Sequence, residues 1–398
     1  MTESGVLGPA EVARGALYWD PMSNQPAVIG PDGVQRPYIG GQALIEGVMM
    51  RSPHAFAAVV RRRDGSLLAR EEPMKDVRRG RLSWPVVRGV VALVEALKLG
   101  SRALRFSAEV YERDLEASDE NAAEKKPQKP GLLSVLSLPV IALATNEPDV
   151  VTPTPSDDDG KRRLTTWLSV AFALGLFVAL PQIFADRVSW LFDLGLDVRS
   201  SQFQLLTGAA KITIIVGYML LIRRIPEIYR VFQYHGAEHK SIHAYESGMA
   251  LEVANARAKT TLHPRCGTTF IVMVALVSIL VFTVLGRFLP QLGLGKLGDN
   301  VVFFLLKLPF LPFIAAITFE LQRLLARFAT RGPLRVLLWP GFLVQKITTI
   351  EPEDAQLEVA LAALSVTIER ERAPERGATG ERAFADFGTL VASPAVSG

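Results

Sequence analysis

Four long apolar stretches dominate the second half of this 398-residue chain. They are Leu164–Phe184, Phe203–Ile222, Gly267–Gly286 and Val301–Phe319. Each approaches the roughly 20 apolar residues that a helix needs to cross a bilayer. The pattern predicts four transmembrane helices, the first two within 164–222 and the last two within 267–320. The second and fourth stretches each contain one lysine, Lys211 and Lys307.

Clusters of basic residues flank these stretches on one side, whereas the opposite loops are short and hold few basic residues. The flanking basic residues are Lys161, Arg162 and Arg163, then Arg223, Arg224 and Arg230, then Arg265, and finally Arg323, Arg327, Arg331 and Arg335. Loops rich in Lys and Arg stay in the cytoplasm. We therefore expect a multi-pass protein of the bacterial inner membrane, with both termini cytoplasmic. Such flanks also account for the formal net charge of +4, so the charge does not indicate nucleic-acid binding.

The region before the spans predicts a small cytoplasmic unit over residues 37–111. Ala55–Val60 and Leu67–Arg70 are short strand candidates, and Asp64-Gly65 between them is a typical hairpin turn. Val86–Phe106 has helical periodicity with a charged stripe, which favours an amphipathic helix over a span. The fold class expected is therefore mostly α, a polytopic helical membrane protein with a small α+β cytoplasmic unit.

The remaining segments are predicted from composition. Residues 1–36 are expected to be a flexible leader, and 112–163 a charged and Pro-rich linker. The linker contains a short apolar segment, 131–145, which is too short to span unaided and whose insertion stays open. Residues 321–370 predict an interfacial segment and an amphipathic helix, and 371–398 a disordered tail.

The loop over 223–266 contains most of the chemistry-bearing side chains. On a helix, His235, His239 and His243 project at about 0°, 40° and 80°. Glu238 and Glu246 share that side of the helix. Clustered imidazoles and carboxylates are ligands that Zn²⁺ prefers. Since His235 and His243 are separated by about 12 Å of helix rise, all three histidines require either a bent helix or two metals.

A second cluster, His263 and Cys266, comes just before the third apolar stretch. Because it lies at the span boundary, it can fold back onto the histidine helix and complete a His/Cys metal site. Cys266 is the only cysteine, so no intrachain disulfide can form. A Cys–His pair can also act as a nucleophile with its base, although the sequence identifies no third group to orient it.

The spacing His235-x-x-Glu238-His239 matches the inverted zinc-protease motif, in which the glutamate is the general base. That motif needs a further acidic ligand. Glu246 and Glu320 are candidates for it, and Glu46 in a Gly-rich stretch is a candidate ligand or outer carboxylate. The alternatives are a structural metal, which uses the same residues, and a solvated or headgroup-facing polar surface.

Several of these stretches together resemble the YqhQ-like family of bacterial membrane proteins. The stretches are Gly40–Pro53, Arg88–Gly100, Tyr234–Glu246, His263–Gly267 and Gln345–Glu353 with Glu320. The resemblance runs from about Pro37 to Ile368 and omits the linker. It implies a membrane location and a predicted metal-dependent enzyme, without implying a particular reaction.

Three hypotheses follow. The first is a metal-dependent hydrolase for a membrane-associated substrate: His235 and His239 bind a divalent metal, expected to be zinc, with help from His243, His263 or Cys266, and Glu238 is the base. The second is a non-catalytic membrane scaffold or assembly factor with a structural metal. The third is a small transporter, for which Lys211 and Lys307 inside spans are the support. The expected partners are the lipid bilayer and a membrane-associated substrate or protein.

Overall fold

The computed structural model describes residues 17–20, 25–74, 84, 87–120, 167–168, 171–173, 175–290, 292–328, 333–373 and 380–393. Within these residues the chain is mostly helical with a small β region, as expected. The apolar segment 131–145 and the linker beyond residue 120 lie outside the described residues.

The strands are β1 (Leu17–Asp20), β2 (Gln25–Ile29), β3 (Gln35–Pro37), β4 (Gly40–Leu44), β5 (Gly47–Arg51), β6 (Ala55–Arg61), β7 (Leu67–Pro73) and β8 (Gly380–Phe384). The helices are α1 (Val87–Glu120), α2 (Leu180–Leu191), α3 (Ser201–Ile222), α4 (Pro226–Glu246), α5 (Val253–Arg257), α6 (Gly267–Leu285), α7 (Gly295–Lys307), α8 (Leu311–Phe328), α9 (Trp339–Thr348), α10 (Asp354–Arg372) and α11 (Phe387–Val391).

An antiparallel sheet of order β4-β5-β6-β7-β8 forms the centre of the non-spanning unit. Successive side chains along its strands point to opposite faces of the sheet, and both faces are buried. One face, which includes Val48 and Val59, packs against α4 and α10. The other face, which includes Phe56 and Val60, packs against the second half of α1 at Phe106. The sheet is therefore a middle layer between helices, and it supports α4 from one side.

Three sequence-based expectations about this unit need correction. The leader 1–36 contains strands β1 to β3, and the tail 371–398 contains β8 and α11. Strand β8 pairs with β7 in the register Leu67↔Phe384, a contact across the whole chain that local composition cannot reveal. Helix α1 extends to Glu120, well into the expected linker, because its C-terminal half has the sheet to pack on.

Among the residues that the structure describes, four helices are long and apolar enough to cross a membrane: Ala171–Leu191, Ser201–Ile222, Gly267–Phe288 and Gly298–Leu325. The first lies further along the chain than the expected 164–184, because the helix continues through the polar residues after Phe184. The fourth contains a short tight turn at Leu308–Phe310, where Pro309 cannot donate a helical hydrogen bond.

The lysine of the fourth candidate span points inward. Lys307 Nζ donates to Gln204 Oε1 over 2.8 Å and lies over the rings of Phe282 and Phe303. The ammonium group therefore links the fourth candidate span to the second and third instead of extending to the outer surface. A hydrogen bond and two cation–π contacts together replace part of the hydration that burial removes.

Candidate metal centre

Helix α4 is the backbone of the site, and it is buried from Gln233 to Glu246 except at His243. It begins with Pro226, whose missing N–H costs nothing at the first position of a helix. Gly236 allows the chain at Ile350 to approach, since a Cβ there would overlap the Ile350 carbonyl oxygen. This close approach places the end of α9 directly beside the histidine face of α4.

Three side chains converge at the start of α6: His235, His239 and Cys266. Their ligand atoms all lie within 4.8 Å of one another, and all three residues are buried. His235 Nε2 lies 3.1 Å from Cys266 Sγ, and the two imidazole rings are 4.5 Å apart. We call these three residues the first triad.

Backbone carbonyls orient both imidazoles of the first triad. His235 Nδ1 donates to the Thr348 oxygen over 2.8 Å, and His239 Nδ1 donates to the Thr261 oxygen. In each ring Nε2 is then the nitrogen that faces the cluster. His239 Nε2 is buried and makes no hydrogen bond. Metal-binding histidines typically show this arrangement, with one nitrogen fixed by an outer acceptor and the other presented to the ion.

The thiol of the first triad lies in an electropositive setting. Cys266 caps the N-terminus of α6 and accepts from the Thr268 N–H over 3.4 Å. Burial alone raises the pKa of Cys266, but the neighbouring His235 and His239 lower it more, to well below its usual value. Burial lowers the pKa of His235, but the Cys266 thiolate opposes this effect, so that the pKa rises to about 9. The pair is thus held as imidazolium and thiolate.

Glu238 lies beside the first triad and is almost fully buried. Burial raises its pKa, against the opposing effect of His239 and His235. Its carboxylate accepts from the Gly41 N–H of β4. A Cβ on Gly41 would lie 2.8 Å from the Glu238 carboxylate, so this glycine lets the strand pass close enough to donate.

The first triad fits a borderline divalent cation. Two Nε2 atoms and one thiolate are zinc ligands, and neighbouring ligands around tetrahedral zinc lie about 3.5 Å apart. The observed spacing requires only small side-chain adjustments. Three protein ligands would leave one position open in a catalytic site of this kind. Glu238 lies beside the same three residues.

A second triad, His243, Glu246 and His263, lies one turn further along α4, again with ligand atoms within 4.8 Å. The His263 ring is 4.7 Å from that of His243 and 5.5 Å from that of His239. Burial and the adjacent Arg265 hold the pKa of His263 well below its usual value. Helix α4 thus places its histidines in two groups, one in each triad. This arrangement corresponds to the two-metal alternative of the sequence analysis.

Two candidate carboxylates lie away from both triads. Glu46 binds Arg230 with two contacts of 2.5 Å and also accepts from Tyr234. Glu320 forms a two-contact ion pair with Arg88 of α1, at 2.6 and 2.5 Å. Glu46 therefore connects the sheet to α4, and Glu320 connects α8 to α1. The third metal-competent side chain beside His235 and His239 is Cys266, whereas the inverted motif led us to expect an acidic residue there.

Sequence reasoning missed the groups that hold the histidines in place. Gln345 of α9 accepts from the His263 N–H over 2.8 Å and donates to the His263 carbonyl over 2.7 Å. Thr348 and Thr261 act through their carbonyls, which carry no side-chain signal. The only indication was the stretch Gln345–Glu353, which is part of the family resemblance.

The structure also supplies the orienting group that the thiol alternative lacked. The His235 ring links two hydrogen bonds. Its Nε2 pairs with Cys266 Sγ, and its Nδ1 donates to the Thr348 carbonyl oxygen. A nucleophile, its base and a third group that orients the base are the elements of thiol catalysis. The same two side chains thus suit either a metal or a nucleophilic role.

Comparisons with known proteins confirm the family resemblance. Residues 84–370 match the family model described as a protein of unknown function (DUF1385). The chain is 30% identical over 342 residues to "Uncharacterized protein YqhQ" of Bacillus subtilis (strain 168), which covers 85% of this chain and 95% of that protein. No solved structure matches.

Proposed function

This chain belongs to the family of unknown function designated DUF1385, and we propose that it is a metal-dependent hydrolase of the bacterial inner membrane that acts on a membrane-associated substrate. His235, His239 and Cys266 bind the metal, and Glu238 is the general base.

One observation carries this proposal: the buried, unbonded Nε2 of His239 beside His235 Nε2 and Cys266 Sγ. A buried nitrogen without a partner costs roughly 1–3 kcal/mol. His239 Nε2 would lose that cost as a metal ligand, and His235 would give up its proton to bind the same ion through Nε2. The charge and type of the three donor atoms match zinc better than magnesium or calcium, which prefer oxygen ligands.

The protein's own groups have separate tasks in this mechanism. A zinc-like ion at the first triad supplies Lewis acidity and lowers the pKa of water toward neutrality. Glu238 accepts a proton from the attacking water, for which its raised pKa is suited. Gly41 N–H fixes the carboxylate of Glu238, and the carbonyls of Thr348 and Thr261 fix the two imidazoles.

The membrane placement rests on the four apolar helices and on where the sheet lies. Strands from both ends of the chain meet in one sheet, so both ends lie on the same side of an even number of spans. That side also carries the basic flanks of the candidate spans, which favours a cytoplasmic location for the first triad.

A structural metal is the second candidate, and a separate observation favours it. The three ligands and Glu238 are each less than 10% exposed. If Glu238 is itself a fourth ligand, the site is closed and serves to join α4 to the start of α6, as a scaffold or assembly factor requires. The transporter hypothesis has less support, because Lys307 is engaged by Gln204 and two aromatic rings.

Metal analysis of the purified full-length protein tests the site. We expect about one equivalent of zinc or a similar metal in the wild type, and none in His239→Ala. His54→Ala is the matched control, since His54 pairs with Glu371 2.9 Å away and belongs to neither triad. A folded wild type that binds no added zinc contradicts both the hydrolase and the structural proposal.

Glu238→Gln distinguishes the two candidates. A catalytic base is dispensable for metal binding, so the variant should retain its metal and lose hydrolysis in a panel of ester, phosphoester and peptide substrates presented in lipid. Loss of metal together with folding stability would identify Glu238 as a structural ligand instead.

A further inference from the structure

Helix α9 separates the first and second triads from an exposed apolar surface. Its buried side carries Gln345 and Thr348, which hold His263 and His235. Its other side carries Trp339 and Leu343, which are 59% and 54% exposed. Val336 and Lys346 continue this exposed side at helical spacing before and after them. The helix thus has one face on the site and one apolar face without a partner among the described residues.

The buried face of α9 packs against a candidate span. Gly341 lies so close to Thr269 in the first turn of α6 that a Cβ there would overlap the threonine side chain. Gln345 also donates to Thr269 Oγ1 over 2.7 Å. Helix α9 therefore crosses the end of the third candidate span in direct contact with it.

The first half of α1 also packs on a candidate span with one side and exposes apolar residues on the other. Gly89 packs on the backbone of Ala316, where a Cβ would lie 3.2 Å from its Cα. Ala316 precedes Leu325, the end of the fourth candidate span, by about 13 Å of helix rise. The side of α1 opposite Gly89 exposes Val87, Val94 and Leu97, and Lys98 follows.

We propose that the exposed faces of α9, of the short 3-10 helix before it (Pro333–Leu338) and of the first half of α1 form a lipid-embedded collar. The collar, defined by Val336, Trp339, Leu343, Val87, Val94 and Leu97, inserts into the leaflet around the bases of the third and fourth spans. This inference rests on the proposed membrane placement. The occupant is the bilayer because α9 and α1 each pack directly on a candidate span and each exposes an apolar face beside that contact. Lys346, at the end of the α9 face, is exposed and can extend to the headgroups.

The collar places the first triad at the membrane surface. A helix with its side chains is about 10 Å across, and α9 contacts the site with one side and the collar's lipid with the other. The substrate class that fits is therefore one held in the leaflet close to the headgroups, instead of a freely diffusing cytoplasmic molecule.

Site-directed spin labelling of the full chain in nanodiscs of phosphatidylethanolamine and phosphatidylglycerol tests the collar. Labels at Leu343→Cys and Val94→Cys are compared with Leu280→Cys, an exposed mid-span position, and Glu351→Cys, an exposed non-span position. Wild type labelled in parallel measures any background from the buried Cys266.

We expect the two collar labels to collide more with oxygen than with a water-soluble nickel chelate, as Leu280→Cys does, and Glu351→Cys to show the reverse. Collar labels that match Glu351→Cys overturn the inference, and so do collar labels shielded from both reagents, which would mean a protein partner. A mid-span label that behaves like the Glu351→Cys label would instead contradict the membrane placement itself, and the metal measurement is independent of all these results.

Discussion

Arg265 forms a buried ion pair with Glu246 at the centre of the second triad. The Glu246 carboxylate also lies 3.7 Å from His263 Nε2, and the Arg265 guanidinium stacks over the ring of Tyr38. The guanidinium thus already supplies the positive charge that a metal would bring to His243, Glu246 and His263. In the first triad the positive charge beside the Cys266 thiolate is the proton on His235.

This ion pair predicts a stoichiometry. Wild-type protein should bind one equivalent of zinc, because Arg265 competes for the second triad. Arg265→Gln removes the competing charge and should allow a second equivalent, which also stabilises the otherwise uncompensated Glu246 carboxylate. Metal titration followed by elemental analysis measures this. The double variant Arg265→Gln/His243→Ala should return to one equivalent, and a single variant that stays at one shows that the second triad is not a cation site.

Cys266 should give the metal a thiolate ligand with a spectroscopic signature. In cobalt-substituted wild type we expect a sulfur-to-cobalt charge-transfer band in the near ultraviolet. Cys266→Ser should lose this band while His243→Ala retains it, since His243 belongs to the second triad. An unchanged spectrum in Cys266→Ser would exclude Cys266 from the coordination sphere.

Metal binding should release a proton from the first triad. With the pKa of His235 raised to about 9 and that of Cys266 lowered, the metal-free pair holds one proton near pH 7.5, on His235. Because a ligand must lose its proton, zinc affinity should rise about tenfold per pH unit and level off above pH 9. Calorimetry in buffers of different ionisation enthalpy measures the released proton.

The control for this pH dependence is Cys266→Ser. Without the thiolate the pKa of His235 falls toward the low value that burial favours, so the imidazole is already neutral at pH 7.5. The variant should bind more weakly and release less than one proton. Equal proton release in both proteins would mean that the His235–Cys266 pair is not the source.

Gly236 predicts a stability effect with a matched control on another helix. Gly236→Ala adds a methyl group that overlaps the Ile350 carbonyl, so either α4 or the chain at Ile350 must shift. We expect a loss of roughly 1–3 kcal/mol of unfolding free energy, as overpacking costs, and weaker metal binding. Gly217→Ala in α3 meets nothing within 4 Å and should be neutral or slightly stabilising. Thermal unfolding in detergent compares the two, and equal midpoints would show that the close approach is not rigid.

The sequence predicted those features that depend on residues close together in the chain, namely the apolar spans and the histidine face of α4. Continuous apolar runs predicted four spans. The four-residue spacing of His235, His239 and His243 predicted one helix face on which all three histidines require either a bent helix or two metals. Long-range pairing determined what the sequence could not show. The first triad depends on Thr261 and Thr348 carbonyls that carry no residue signature, and Glu46 turned out to bind Arg230 because β4 and β5 lie against α4.

Strand β8 has a consequence for how this chain is made. Its partner β7 leaves the ribosome before any of the four candidate spans, whereas α10 and β8 emerge after all of them. Throughout that interval β7 has an unpaired edge, and one face of the sheet lacks the helix that covers it. Unpaired edges and bare apolar faces promote aggregation. Biogenesis therefore requires that the early strands be shielded until the last residues arrive, and truncation before Gly380 should expose the nascent chain to proteolysis.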